Sequence, residues 1–452
     1  MSPEVKFNLI VILGALLVTP IARLRYGTWL TSGALYSLGW LFVLVFYHYL
    51  NFILEEGYAI PVSSFEFGSR LVLWGYIGVL FGHLFFGPPK LRYKQFVHHF
   101  SDIGAFLDKY YLWICGAVFA LGMISFLDRL SSVGLSIFTL ADLRHEHVNS
   151  RFSFFQRFSI YSGLILSIFT VLAAIDDNIR EKVNIRRIIA IIVSLLPLAL
   201  SKASRQEFMA PVLSYGITTF LILQLRMISG LRIQWRLLWA MYAKFLPLFL
   251  GLLFVFTVYG QLRSMGSKKM GSNYTLFSLA EAPVELSVSI AGWFASSFYS
   301  VGIITDFENV TFPRMHGRIY FEPFFKIPEK LRLIPDKSVL VYLARQEAFR
   351  EFKTAKVAYT PGTMGKVLTR EVGKSLAPYF GGAAMFFAVG LSSRLDRKNI
   401  FYFMLVMIFT TQAFMSFQTL RGFNMIVAWQ LVFALLFTYY YQKFRVRYRG
   451  LR

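Results

Sequence analysis

Apolar runs long enough to cross a bilayer recur along almost the whole chain, and they constrain the fold more than any other feature. An α-helix rises about 1.5 Å per residue, and the hydrocarbon core of a bilayer is about 30 Å thick. Only α-helices and closed β-barrels satisfy all backbone hydrogen bonds within it. We therefore predict an all-α integral membrane protein with about 11 transmembrane helices. The predicted spans are residues 7–22, 29–53, 70–87, 110–126, 158–175, 187–200, 207–225, 237–261, 379–393, 400–417 and 423–441.

The composition agrees with a lipid environment. Hydrophobic residues make up 56% of the chain and charged residues 16%, against about 25% charged residues in soluble domains. The net charge of +23 does not indicate nucleic acid, because the basic residues lie mostly between apolar runs. The single cysteine, Cys115, excludes disulfides and thiolate clusters within the chain. The N-terminal MSPEVKF lacks a basic region and a cleavage site, so the first run is predicted to be a retained helix.

The distribution of Lys and Arg predicts the orientation. One set of alternate loops holds about twenty basic residues and the other about nine, so the first set is predicted to be cytoplasmic. The N-terminus, a loop at 127–157 and a segment at 262–378 then lie outside. The predicted organisation is 1–261 with the first eight helices, 262–378 as a large periplasmic loop, and 379–452 with the last three helices and a basic cytoplasmic tail.

The 262–378 segment is unusual because it separates two spans by more than a hundred residues of mixed charge. Loops of that length are usually functional or disordered. Residues 287–304 are apolar enough to dip into the membrane, and 325–331 and 340–353 are predicted to form short amphipathic helices at the interface.

Two arginines are predicted on the external side, where the charge rule expects few. Arg205 lies between two short apolar runs, and Arg421 lies in the turn before the last span. An arginine at membrane depth usually faces a polar cavity and pairs with an anion, and its planar guanidinium suits a bidentate phosphate contact. The alternative is that each pairs with Glu207 or with a lipid headgroup.

Titratable residues cluster in the predicted loop 127–157. Glu146 and His147 are candidate general bases near neutral pH, and the alternative is an ordinary solvated loop. The spacing of His145 and His147 does not favour zinc, and no further ligand is evident, so neither a metal nor a cofactor is predicted. In the 262–378 segment, His316, Asp306 and Arg318 are candidates by residue type alone. The sequence has no nucleotide-binding loop and no HExxH motif.

Several short motifs, taken in order, resemble the lipid-linked oligosaccharide repeat-unit polymerases of the Wzy type. Arg144 lies in the first large external loop, and Arg205 ends the run Leu200-Ser201-Lys202-Ala203-Ser204-Arg205. The large loop contains Ile327-Pro328, then Leu333-Ile334-Pro335-Asp336-Lys337 and Thr360-Pro361-Gly362-Thr363-Met364-Gly365. Arg421 follows in the last external turn. The resemblance covers roughly residues 120–430.

The resemblance implies a metal-independent glycosyltransferase of the C type in the bacterial inner membrane, with its active site on the periplasmic side. It would polymerise undecaprenyl-diphosphate-linked oligosaccharide by moving the growing glycan onto a new lipid-linked repeat unit. Four arginines would bind the diphosphate. They are Arg144, Arg205, Arg421 and Arg318.

For the general base, His147 and His316 rank level, ahead of Glu146 and Asp306. Membrane lipid and a chain-length-regulating co-polymerase are the other partners that the resemblance implies. An O-antigen ligase-like transferase using the same donor, and a lipid-linked glycan flippase or other transporter, remain as alternatives at this point.

Overall fold

The structure, a computed structural model, describes residues 1–53, 62–133, 153–202, 206–233, 375–393, 399–414 and 425–450, with isolated positions between 235 and 291. These residues form eleven α-helices and no strand, which confirms the all-α prediction for this part of the chain. The helices, in order, are α1 (Pro3–Tyr26), α2 (Ser32–Ile53), α3 (Val62–Phe85), α4 (Tyr93–Phe100), α5 (Ile103–Val133), α6 (Ser153–Arg180), α7 (Ile185–Lys202), α8 (Gln206–Ile228), α9 (Ala377–Ser392), α10 (Ile400–Phe414) and α11 (Met425–Gly450).

Five of the described helices are long and apolar enough to cross a membrane by themselves. Their membrane-length stretches are Pro3–Tyr26, Ser32–Ile53, Ile103–Ser131, Ser162–Arg180 and Pro211–Ile228. Helices α9 and α10 are apolar but shorter. The protein is therefore a membrane protein with several candidate spans, as the apolar runs predicted.

Ten of the eleven predicted spans coincide with a described helix. The eleventh, 237–261, and almost all of the 262–378 segment lie outside the described residues. Helix α4 was not predicted, because its eight residues carry one lysine and two histidines and are too short to span a bilayer.

Local sequence explains the limits of α1. The Ser2 hydroxyl accepts a hydrogen bond from the Val5 amide at 3.3 Å, and Pro3 occupies the first turn, where its missing N–H costs nothing. Gly27 ends the helix with φ of 71°, and its amide donates to the carbonyl of Arg23.

The described chain divides into two compact units. Unit 1 contains α1, α2, α3 and α9, and unit 2 contains α4 to α8 together with α11 from Trp429 onward, while α10 contributes residues to both. In unit 1, α3 and α9 pack so closely that a Cβ on Gly78 would lie 2.0 Å from the carbonyl oxygen of Gly382. Small residues that allow such backbone contact are typical of helix pairs in membranes.

Three helices of unit 1 share one direction, and α2 runs opposite to them, since Gly33 lies beside Val79 whereas Tyr47 contacts Phe65. Helices α1, α3 and α9 run parallel, because Gly14 packs against Tyr76 and the α3–α9 contacts advance together from Trp74 with Tyr379 to Gly82 with Val389. The C-terminal ends of α1 and α3 meet where Arg25 donates to the carbonyl of Leu84. Helix α9 therefore begins beside the middle of α3, near Trp74, and it runs toward the end of unit 1 that holds Arg23 and Arg25.

Candidate functional site

The eight residues that the sequence predicted for the site lie outside the described residues. They are His147, His316, Glu146, Asp306, Arg144, Arg205, Arg421 and Arg318. Their mutual arrangement stays a prediction. The described helix ends that flank four of them show where the segments of Arg144, Glu146, His147 and Arg205 begin and end.

The helices of unit 2 alternate in direction. The start of α5 packs against the end of α6, since Asp108 and Asp176 both bind Arg187 at the start of α7. The end of α6 packs against α8, where Tyr215 donates to Asp177 and Asn178 donates to Thr219. Helices α5 and α7 thus run one way, and α6 and α8 run the other way.

Helix α11 runs antiparallel to α5. Phe106, in the first turn of α5, contacts both Tyr441 and Phe444 near the end of α11, with ring centroids 5.7 and 5.6 Å apart. Arg445, one residue further along α11, lies 3.4 Å from Asp102, just before α5. The start of α11 therefore points toward the end of α5.

These directions define two ends of unit 2. We call the end with Asp108, Arg187 and Arg445 the basic end, and the opposite end, with Val133 of α5 and Lys202 of α7, the far end. At the far end the chain leaves α5 toward Arg144, Glu146 and His147, and leaves α7 toward Arg205. It enters α6 and α8 there.

A set of polar contacts joins α5 and α7 at the far end. Arg129 donates to the carbonyl oxygen of Ser201 at 2.7 Å, and the hydroxyl of Ser125 donates to that of Ser201 at 3.3 Å. Asp128 in the same turn is buried, with 5% of its surface exposed. The contacts hold the last turn of α7 against α5, four residues before Arg205.

Sequence reasoning did not single out this far-end group. Asp128 and Arg129 follow the predicted span 110–126 directly, and they read as the first polar residues of a loop. The structure continues α5 to Val133, so both side chains lie on a helix. The signal in the sequence that could have identified this group is the charged pair Asp128-Arg129 at the end of an apolar run.

An ion-pair network occupies the basic end. The Arg187 side chain is 2% exposed and donates to Asp176 and to Asp108, at 2.6 Å in each case. Asp176 also accepts from Arg180 at 2.8 Å. The buried guanidinium of α7 thus bridges a carboxylate of α5 and a carboxylate of α6, and it joins the three helices.

A second buried network lies beside the first, between α6 and α8. Asp177 accepts from the Tyr215 hydroxyl at 2.8 Å and from the Asn184 amide at 3.2 Å. Asn178 donates to Thr219 at 3.1 Å, and Thr219 is 3.1 Å from the hydroxyl of Tyr242. Every member contacts another side chain or the backbone, so this network serves packing between helices.

Helix α4 closes the basic end. Its Tyr93, Phe96 and Phe100 are buried, and Arg92 donates to the carbonyl of Ile228 at 2.8 Å, which caps the end of α8. Arg226 stacks over the Tyr93 ring at 5.0 Å. Burial raises the pKa of the Tyr93 phenol, and the Arg226 guanidinium acts in the opposite direction.

The two ends of unit 2 differ in chemistry. At the basic end the buried Arg187 and Asp176 pair with opposite charges on the described helices, so these charges stabilise helix packing. The far end is joined directly to the segments that carry Arg144, Glu146, His147 and Arg205. Among the described residues, no group of three or more His, Cys, Asp or Glu side chains is placed to hold a metal ion.

Comparison with known proteins gives no relative on which to base an assignment. No protein-family model, no curated protein and no solved structure matches this chain.

Proposed function

We propose that the protein is a glycosyltransferase that polymerises undecaprenyl-diphosphate-linked oligosaccharide repeat units at the periplasmic face of the bacterial inner membrane. The observation that carries the proposal is the arrangement of unit 2. The described helix ends that adjoin the segments of Arg144 and Arg205 lie together at its far end.

The full proposed topology has about eleven spans with the far end outside. Described cations of unit 2 that gather at the basic end include Arg92, Lys182, Arg187, Arg226 and Lys443, as the positive-inside rule expects of a cytoplasmic surface. On α5, the apolar stretch from Tyr110 to Leu127 separates Asp108 and Lys109 from Asp128 and Arg129. Eighteen residues of helix span about 27 Å, close to the thickness of the hydrocarbon core.

In the proposed reaction, a hydroxyl of the acceptor repeat unit attacks the anomeric carbon of the lipid-linked donor glycan. The bond from that carbon to the diphosphate oxygen breaks, and its electron pair leaves with the undecaprenyl diphosphate. The hydroxyl proton passes to a general base, for which His147 and His316 are the first candidates and Glu146 and Asp306 the second.

The arginines would stabilise the charge that develops on the leaving diphosphate. Arg144, Arg205, Arg421 and Arg318 are the proposed set. Guanidinium groups aimed at a developing phosphate charge lower the barrier without a metal ion. An undecaprenyl diphosphate is itself a good leaving group, so this stabilisation and one base suffice for the chemistry.

The experiment uses a strain that lacks the gene and is complemented with Arg205→Ala or Arg421→Ala. We expect either variant to insert normally and to abolish long-chain glycan, leaving a single lipid-linked repeat unit. Lysine at either position is expected to restore little activity, because the bidentate contact is lost. Lipid-linked glycans are analysed by mass spectrometry, and the abundance of the protein in membranes by immunoblot.

Arg232→Ala serves as the matched control, because Arg232 is an exposed arginine just after α8, on the predicted cytoplasmic side. It is expected to leave chain length unchanged. Persistence of long chains in both Ala variants would contradict the diphosphate role. Accumulation of long chains on undecaprenyl diphosphate would instead indicate a ligase that uses the same donor.

A further inference from the structure

We propose that α5 and α11 form a binding site for an anionic phospholipid at the basic end of unit 2. The site consists of an apolar, outward-facing stripe on each helix that ends in a cation. The proposal does not depend on the glycosyltransferase assignment, because every residue in it belongs to the described helices.

The stripe on α5 is continuous over more than two turns. Lys109 is exposed, and Leu112 and Trp113 are 64% and 79% exposed. Gly116 follows on the same face, and a Cβ added there would meet nothing within 4 Å. Residues three and four apart share one face of a helix, so the cation, the indole and the open glycine lie one above another.

The stripe on α11 repeats this order. Leu435 and Leu436 are 53% and 48% exposed, Tyr439 and Tyr440 are 59% and 58% exposed, and Lys443 is exposed one turn later. Because α11 runs antiparallel to α5, each stripe places an aromatic side chain and then a cation toward the basic end. Aromatic rings are enriched where hydrocarbon meets headgroups, and cations beyond them meet the phosphates.

Contacts between the helices bring the two cations to one corner. The Lys109 ammonium lies 6.0 Å from the centroid of the Phe444 ring, which is the residue next to Lys443. Phe444 also packs against Phe106 and Tyr110, with centroids 5.6 and 6.3 Å apart. Lys109 and Lys443 therefore flank the same interhelical seam.

The nearby carboxylates are already matched by other cations. Asp108 accepts from the buried Arg187 at 2.6 Å, and Asp102 lies 3.4 Å from Arg445. Arg447, which follows Lys443 by one turn, is also exposed. The corner thus carries a net positive charge, and an apolar stripe below it accommodates acyl chains. A phosphodiester with two acyl chains and no compensating cation matches both features.

The test measures how strongly Trp113 fluorescence is quenched by brominated phosphatidylglycerol and by brominated phosphatidylcholine, with the full-length protein in mixed micelles. The chain has eight tryptophans, so the signal of a Trp113→Phe variant is subtracted. We expect wild-type protein to prefer phosphatidylglycerol. Lys109→Gln with Lys443→Gln should reduce the ratio of the two association constants by about fivefold for each charge removed.

Three comparisons make the result decisive. Lys182→Gln removes an exposed cation from the same end of unit 2 away from the stripe, and should keep the preference. Lys109→Arg with Lys443→Arg should also keep it. Inorganic phosphate, added at constant ionic strength, should not reduce it. If the double Gln variant fails to fold in a zwitterionic detergent, Lys443→Gln is tested alone. It should reduce the ratio of the two association constants by about fivefold.

The proposal is overturned if wild-type protein shows no preference, or if the Gln variants retain it. It is also overturned if Lys182→Gln loses as much, which would indicate a diffuse surface potential. Displacement by inorganic phosphate would indicate a free-phosphate site in place of a lipid site.

Discussion

Gly78→Ala tests the backbone contact between α3 and α9 in unit 1. The added methyl group would lie 2.0 Å from the carbonyl oxygen of Gly382 and 2.8 Å from its carbonyl carbon. Both atoms belong to the backbone of α9, so no side chain can rotate away. The two helices must therefore separate by about 1 Å, and overpacking of this kind costs roughly 1–3 kcal/mol.

The helix propensity of alanine offsets part of that cost. Alanine in a helix is favoured over glycine by up to about 1 kcal/mol. We therefore expect Gly78→Ala to lower the free energy of unfolding by about 1–2 kcal/mol. The measurement is titration of the purified full-length protein with a denaturing detergent, followed by circular dichroism.

Gly216→Ala is the matched control for this prediction. Gly216 lies inside α8, and a Cβ there meets nothing within 4 Å, so only the propensity gain remains. Its free energy of unfolding should stay equal or rise by up to about 1 kcal/mol. Equal effects of the two substitutions would refute the backbone contact between α3 and α9.

Two further predictions concern unit 2 and the membrane orientation. Arg187→Ala should lower the free energy of unfolding by about 1.5–3 kcal/mol, because it removes one of the two guanidinium partners of the buried Asp176. Arg186→Ala, at an exposed neighbouring position, should change it by less than about 0.5 kcal/mol in the same titration. In a Cys115→Ser background, Lys94→Cys should react with a membrane-impermeant maleimide only in opened cells, and Lys6→Cys in intact spheroplasts. The reverse labelling pattern would contradict the orientation and the proposed periplasmic site.

The apolar runs predicted most of the described helices, because a long apolar segment in lipid satisfies its own backbone hydrogen bonds only as a helix. The apolar runs predicted the first and last residues of the helices less well. The span at 110–126 is part of α5, Ile103–Val133, because a helix continues beyond the hydrocarbon where polar side chains meet water. Helix α4 was missed because an interfacial helix needs only one apolar face, here Tyr93, Phe96 and Phe100.

Pairings between distant residues were not predictable. Arg187 is the first residue of the predicted span 187–200, and the structure buries it in α7 against Asp108, 79 positions earlier in the chain. No local pattern distinguishes it from Arg186 beside it, which is exposed. The predicted site depends on loops whose residues were chosen by type, order and sidedness, and these criteria do not determine distances between side chains.

The contact between α3 and α9 also has a consequence for how the chain is made. Gly78 and Gly382 are separated by roughly 300 residues, which at about 5–20 residues per second take roughly 15–60 s to synthesise. During that interval α3 has already been synthesised, and its glycine face has no partner from α9. Lipid, or a membrane chaperone, must cover this face until α9 arrives, so unit 1 is completed only late in translation.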